Sequence, residues 1–216
     1  MTDPVAPLLD SPALPAHVAR LQRVLDDEAD RRDTFRDSLE GEKAEFINGE
    51  IIMHSPARDA HTATVGRLFR LLSTYAELHS LGVVRFEKAL VEMTRNDYEP
   101  DICFFGRETA EGIRARTLVY PPPDLAVEVL STSTERRDRG IKFEDYAAHG
   151  VGEYWIVDAD TQMVEQYLLD GDTYRLALKS DTGELSSQVV EGFTTPVRAA
   201  FDDDANLSAL RALLAA

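Results

Sequence analysis

The chain has 216 residues, 44% of them apolar, with a single cysteine and a formal net charge of −16. That length suits one domain of ordinary size with a real core. One cysteine excludes an internal disulfide, and the acidic balance argues against indiscriminate binding to nucleic acid, although a locally basic cleft stays compatible with it. No apolar run reaches spanning length and no basic-then-apolar leader opens the sequence, so the expected location is the cytoplasm, with no membrane association.

In chain order, the proline-rich residues 1–15 read as a flexible arm. From about His17 to Leu39, the spacing of Val18, Leu21, Val24 and Leu25 predicts a helix with a solvated charged face. Glu45 to Met53 reads as a hairpin. Asn48-Gly49 offers the two positive-φ residues of a type I′ turn between apolar runs. Glu45 lies in its first strand, where a solvent-facing position is the simplest reading.

A long helix follows over about Asp59 to His79. His61, Val65, Leu68, Leu72 and Tyr75 share one stripe, so His61 is either a satisfied core residue or a first-turn group aimed at a site. Val83 to Met93 reads as one interrupted strand, and Asn96-Asp97 as a turn. Asp101 then opens a short apolar strand, with Cys103 and Phe105 on one face and Ile102 and Phe104 on the other. Cys103 reads as a small buried core residue with no zinc-like spacing around it.

In Leu125 to Leu130, Leu125, Val127 and Val129 point one way and Ala126, Glu128 and Leu130 the other. Glu128 is either the wet face of an alternating strand or a buried acid, which needs a partner or a cation. Thr132 and Glu135 have capping-box spacing, so the next helix is expected to start near Ser133. It carries Arg136, Arg137, Arg139 and Lys142, and Gly150 stops it. Glu153 to Val157 is a strand ending on Asp158. A hairpin around Gly171, a strand over Ser186 to Val190, an acidic loop at Asp202 to Asp204 and a terminal leucine-bearing helix complete the reading. The acidic triplet is the solvated start of that helix rather than a metal site.

Asp101, Glu128 and Lys142 form the chemical constellation. Two carboxylates suit a hard divalent cation such as Mg²⁺ or Mn²⁺, and a nearby ammonium suits orientation of water or offset of phosphate charge. Spacing alone leaves that reading weakly specific.

Several segments resemble the Uma2 family, classed with the PD-(D/E)XK nucleases. They are Glu45 to Glu50, Ser55-Pro56 with His61, and Pro100-Asp101. Asp124 to Ser131 with Thr134, Asp138 and Lys142 follows, and then Gly150 to Asp158. The resemblance covers about residues 43–180. It implies a mixed α/β fold, a restriction-endonuclease-like sheet flanked by helices. It implies Asp101 and Glu128 as ligands of Mg²⁺ or Mn²⁺, and Lys142 as a catalytic lysine supplied from the helix. In the usual superfamily motif the lysine lies two residues after the acid, where this chain has Leu130. The resemblance further implies that Glu45 and His61 line the pocket and that DNA is the substrate. Arg136, Arg137 and Arg139 are candidates for the phosphate backbone, against a solvated helix start as the plainer reading. Analogy with the fold group adds a homodimer as a candidate assembly.

The expected division is an N-terminal arm and helix over 1–40, a nuclease-like domain over 41–192, and a C-terminal loop and helix over 193–216. The expected activity is metal-dependent endonucleolytic hydrolysis of DNA. A non-catalytic interaction or regulatory protein on the same fold is the alternative, and hydrolysis of a smaller phosphodiester a third reading.

Overall fold

The computed structural model describes residues 5–38 and 43–215. Two helices come first: α1, Ala6–Leu9, and α2, Leu14–Asp37. A proline in the first turn suits each helix, because its missing N–H would be unbonded there anyway. The expected arm is thus helical at Ala6–Leu9 and again from Leu14, with a turn between, and Met1 to Pro4 lie outside the described residues.

The hairpin forms as expected. Strands β1, Ala44–Ile47, and β2, Glu50–Met53, pair antiparallel around Asn48 and Gly49, at φ 50° and 82°. Helix α3 covers Asp59–Leu78. The expected single strand over Val83 to Met93 is instead two, β3, Gly82–Phe86, and β4, Leu90–Glu92, in different sheets. Between them Glu87 sits at φ 57°, where the chain turns out of one sheet and into the other. Strands β5, Asp97–Tyr98, and β6, Ile102–Gly106, come next, followed by α4, Arg107–Ala110, β7, Val119–Tyr120, and β8, Leu125–Val129.

The helix expected from Ser133 is broken into α5, Glu135–Asp138, and α6, Ile141–Ala148. Thr132 caps neither. The Thr134 hydroxyl turns back on Ser131 instead, and Gly140 makes the joint. The rest of the chain is β9, Glu153–Asp158, β10, Met163–Asp170, β11, Thr173–Ser180, β12, Glu184–Ser186, β13, Thr194–Pro196, a 3-10 turn at Val197–Ala200, and α7, Asp203–Ala215.

The strand expected over Ser186 to Val190 stops at Ser186. Beyond it the backbone wraps the buried Glu153 carboxylate, which accepts from the Ser187 hydroxyl and the amides of Gln188 and Val189.

The larger sheet has the order β11-β10-β9-β8-β6-β3, antiparallel except for the β8–β9 pair. The smaller has the order β2-β1-β5-β4-β7. Side-chain alternation on β6 and β8 divides the core in two. Ile102, Phe104, Leu125, Val127 and Val129 pack toward Leu68, Leu72 and Ala76 of α3 and Ala209 of α7. Cys103, Phe105 and Ala126 pack toward Tyr146 and Ala147 of α6 and Val91 and Tyr98 of the smaller sheet. Each large apolar side chain fully buried this way contributes roughly 1.5–3 kcal/mol. Both faces of the central strands are covered, and Glu128 is only 4% exposed.

Candidate functional site

Glu128 and Asp101 meet because β8 and β6 are neighbours in the larger sheet. Asp101 stands just before β6. Its Oδ2 accepts from the amide of Val129 at 2.8 Å, one residue past Glu128. Its Oδ1 lies 2.7 Å from Lys43 Nζ and 3.4 Å from His61 Nε2. Burial opposes ionisation, but His61 and Lys43 outweigh it, so the Asp101 carboxyl sits well below the usual range. Burial also opposes the imidazolium of His61, and the hydrogen bond to Asp101 overcomes it, raising the His61 pKa.

Glu128 Oε1 receives Lys142 Nζ at 2.9 Å and the Tyr146 hydroxyl at 3.0 Å. Lys142 is also 2.8 Å from Glu45 Oε1 and 3.3 Å from Asp138 Oδ1. The break at Gly140 lets α5 and α6 turn both Asp138 and Lys142 inward. Burial pushes the Glu128 pKa up. Lys142 pulls against this, but Asp138, Asp101 and Glu45 add to the rise. Glu45 goes the other way: despite complete burial, Lys142 and His54 hold its carboxyl down. Two neighbouring carboxylates around one ammonium are thus driven apart in proton affinity.

A cavity of about 790 Å³ opens over these acids. Asp101, Glu128, Lys43, His61 and Glu87 line it, with His54 to Arg58 on one side and Ser131 to Thr134 on another. Lys142 and Glu45 do not. They lie beneath Glu128, 1% and 0% exposed, as the floor that fixes its carboxylate. This differs from the expectation of a lysine reaching the reacting centre and of Glu45 on the pocket wall. The physical reason is that three acids surround Lys142 and hold its ammonium below the surface. The lysine on the cavity wall is Lys43.

Arg136, Arg137 and Arg139 are also absent from the wall. Arg139 is bound to Glu165 at 2.7 Å and to Glu135 at 3.0 Å, away from the acids. The expectation that these arginines meet phosphate therefore has no support in their placement.

Sequence reasoning missed Lys43 and His54. Lys43 precedes β1 outside any periodic segment, and its partner Asp101 is 58 positions away. His54 follows the hairpin, where nothing local shows that its Nε2 lies 3.1 Å from Glu45 Oε2. Among the described residues, no group of three or more His, Cys, Asp or Glu side chains converges as a complete cation cage.

Known proteins share both fold and sequence with this chain. A crystal structure of "a putative nuclease belonging to DUF820" from Anabaena variabilis superposes with a TM-score of 0.68 at 17% identity, over 78% of this chain and 96% of that one. At that identity the likeness establishes the fold. Likeness to the type IIG restriction endonuclease BpuSI is slight, with a TM-score of 0.39 at 13% identity over 76% of this chain and 18% of that one, and lends nothing further. The uncharacterized protein sll1609 of Synechocystis sp. PCC 6803 is 30% identical over 144 residues, 63% of this chain and 78% of its own length. The model of the Uma2 family, described as "Putative restriction endonuclease", matches residues 32–198. That match spans most of the chain and contains the whole acid cluster, and the chain belongs to the Uma2 family.

Proposed function

We propose that this protein is a divalent-metal-dependent endonuclease that hydrolyses DNA phosphodiester bonds, with Asp101 and Glu128 as the metal ligands. The observation that carries this reading is the pairing of two buried carboxylates, Glu128 in β8 and Asp101 at the entry to the neighbouring β6, both lining one cavity.

The donor set fits a hard cation. Carboxylate oxygens are the ligands Mg²⁺ and Mn²⁺ prefer, and Mg²⁺ is commonly held by one or two carboxylates with water and substrate oxygens completing the shell. The charge also fits. Asp101, Glu128, Asp138, Glu45 and Glu87 cluster around Lys43 and Lys142, more carboxyl groups than lysines. When bound, such an ion supplies Lewis acidity at the phosphate and acidifies a water molecule.

The chain's own residues do the rest. Lys142 and Tyr146 hold Glu128 Oε1, which fixes the direction of the carboxylate. The amide of Val129 does the same for Asp101. Lys43 and His61 bring an ammonium and an imidazole to the cavity wall, where they can meet a phosphate oxygen. The hydroxyls of Ser131 to Thr134 offer neutral donors along the rim.

The test is nicking of supercoiled plasmid by purified protein with Mg²⁺ or Mn²⁺, against Asp101→Asn and Glu128→Gln. The expected outcome is cleavage that needs the cation and falls at least a hundredfold in either variant. Equal nicking by all three proteins contradicts the assignment.

The net charge of −16 favours a second reading, a non-catalytic interaction protein on the nuclease fold. It predicts no cleavage of duplex, single-stranded or small phosphodiester substrates by the folded wild type.

A further inference from the structure

On the hydrolase reading proposed above, on which this step rests, we infer that the substrate is single-stranded DNA, with an unpaired base stacked on the ring of Phe86.

The cavity limits what can enter. At about 790 Å³ it has the size of a pocket that encloses a drug-sized ligand, roughly one or two nucleotides, and not the face of a duplex. Asp101 and Glu128 lie deep in it, 3% and 4% exposed. A phosphate reaches them when its strand can bend inward, and a strand held in a double helix is stiff.

Charge on the wall gives the same answer. Among the described residues the wall has two basic side chains, Lys43 and Arg58, against four acidic ones, Glu87, Asp101, Glu128 and Asp160. Both bases are already engaged. Lys43 lies 2.7 Å from Asp101 and 3.6 Å from Glu87, and Arg58 lies 3.7 Å from Asp160. Proteins that grip duplex DNA by its backbone commonly meet on the order of six to ten phosphates, and this wall has cations for about one or two. The remaining affinity has to come from the bases, whose faces a duplex hides in its stack.

A stacking surface stands beside the cavity. Phe86 ends β3, the edge strand of the larger sheet, and is 51% exposed. It pairs in register with Ile102, so its side chain stands on the face that α3 covers. There its ring rests on Phe69, with centroids 4.2 Å apart and planes at 42°. Phe69 is itself packed against the core, which supports the outer ring. Two links join this pair to the acids. Glu87, the next residue, lines the cavity, and its amide donates to the Asp101 carbonyl at 3.0 Å. Phe69 follows His61 on α3, about 12 Å further along the helix axis. Aromatic rings placed along the path of a strand are how unpaired bases are held without sequence readout. Supercoiled plasmid can supply such a strand, because negative supercoiling favours local opening of the duplex.

Phe86→Trp turns the ring into its own reporter, since the single native tryptophan, Trp155, is fully buried. In a Phe86→Trp/Glu128→Gln chain with Mg²⁺, a short oligothymidylate should quench the new fluorescence, and its blunt duplex with oligodeoxyadenylate should not. Cleavage gives the second measurement. Wild type should cut a linear single strand about tenfold faster than the same sequence as linear duplex, and Phe86→Ala should raise KM for the single strand about fivefold or more with circular dichroism unchanged. Quenching by neither DNA, equal quenching by both, equal cutting of the two forms or an unchanged KM in Phe86→Ala overturns the proposal and does not touch the hydrolase reading. Quenching by the single strand without cleavage of any DNA supports the strand site and overturns the hydrolase reading alone.

Discussion

Lys142 carries more electrostatic weight than any other side chain in the cluster. Its ammonium is fully buried against Glu128, Glu45 and Asp138, whose attractions hold its pKa well above the ordinary value despite burial. Removing one partner of a buried pair leaves the others charged in a poor solvent, which typically costs about 3–5 kcal/mol. Lys142→Met is therefore expected to lower the urea-unfolding free energy by about that amount. Lys43→Met should cost distinctly less, because Lys43 is 17% exposed and its partner Asp101 keeps the Val129 amide and His61. Similar losses in the two variants would contradict the division between a floor lysine and a wall lysine. Residues that act by alternation were legible from sequence. The faces of β6 and β8 follow from period two, which left Glu128 either on a wet face or buried; the covering of both faces decides for burial. Lys43 and His54 were not legible, because their partners come from segments that meet them only in the folded chain.

The joint between α5 and α6 determines how that lysine arrives. An uninterrupted helix from Ser133 would keep Asp138 and Lys142 on one straight face. The break at Gly140 re-aims them instead. A Cβ at Gly140 would stand 2.8 Å from the Arg136 carbonyl, closer than real Cβ contacts allow. Gly140→Ala, which stabilises an ordinary helix, is here expected to destabilise by about 1–3 kcal/mol, read by thermal or urea unfolding. A gain in stability would show that the joint is not constrained. The apolar stripe of α6 was visible in sequence, but the capping-box spacing of Thr132 and Glu135 misled, because Thr134 turned back to Ser131. The smaller sheet shows the same limit more strongly. Strands β5 and β7 have two residues each, too few for any period, and they exist through pairing with distant segments.

At the scale of the whole molecule, the mixed sheet with helices on its flanks followed from the family resemblance, while the longer strands and α3 were legible from their own patterns. Across the boundary expected at residue 40, Arg32 and Arg36 of α2 both bind Asp97 in β5, the middle strand of the smaller sheet. The C-terminal end of α2 is thus fastened to the body, and the family match beginning at residue 32 includes it. Among the described residues no helix is long and apolar enough to cross a membrane. The acidic surface and the acidic cavity act differently. The surface repels a polyanion, so on the proposed reading DNA would be held through Lys43, His61 and a cation brought to the carboxylates. Electron paramagnetic resonance of Mn²⁺ titrated into the wild type, Asp101→Asn and the Asp101→Asn/Glu128→Gln pair tests that dependence at its source. The account predicts one bound ion per wild-type chain, weakened at least tenfold in the single variant and lost in the double. Equal stoichiometry and affinity in all three proteins would contradict it.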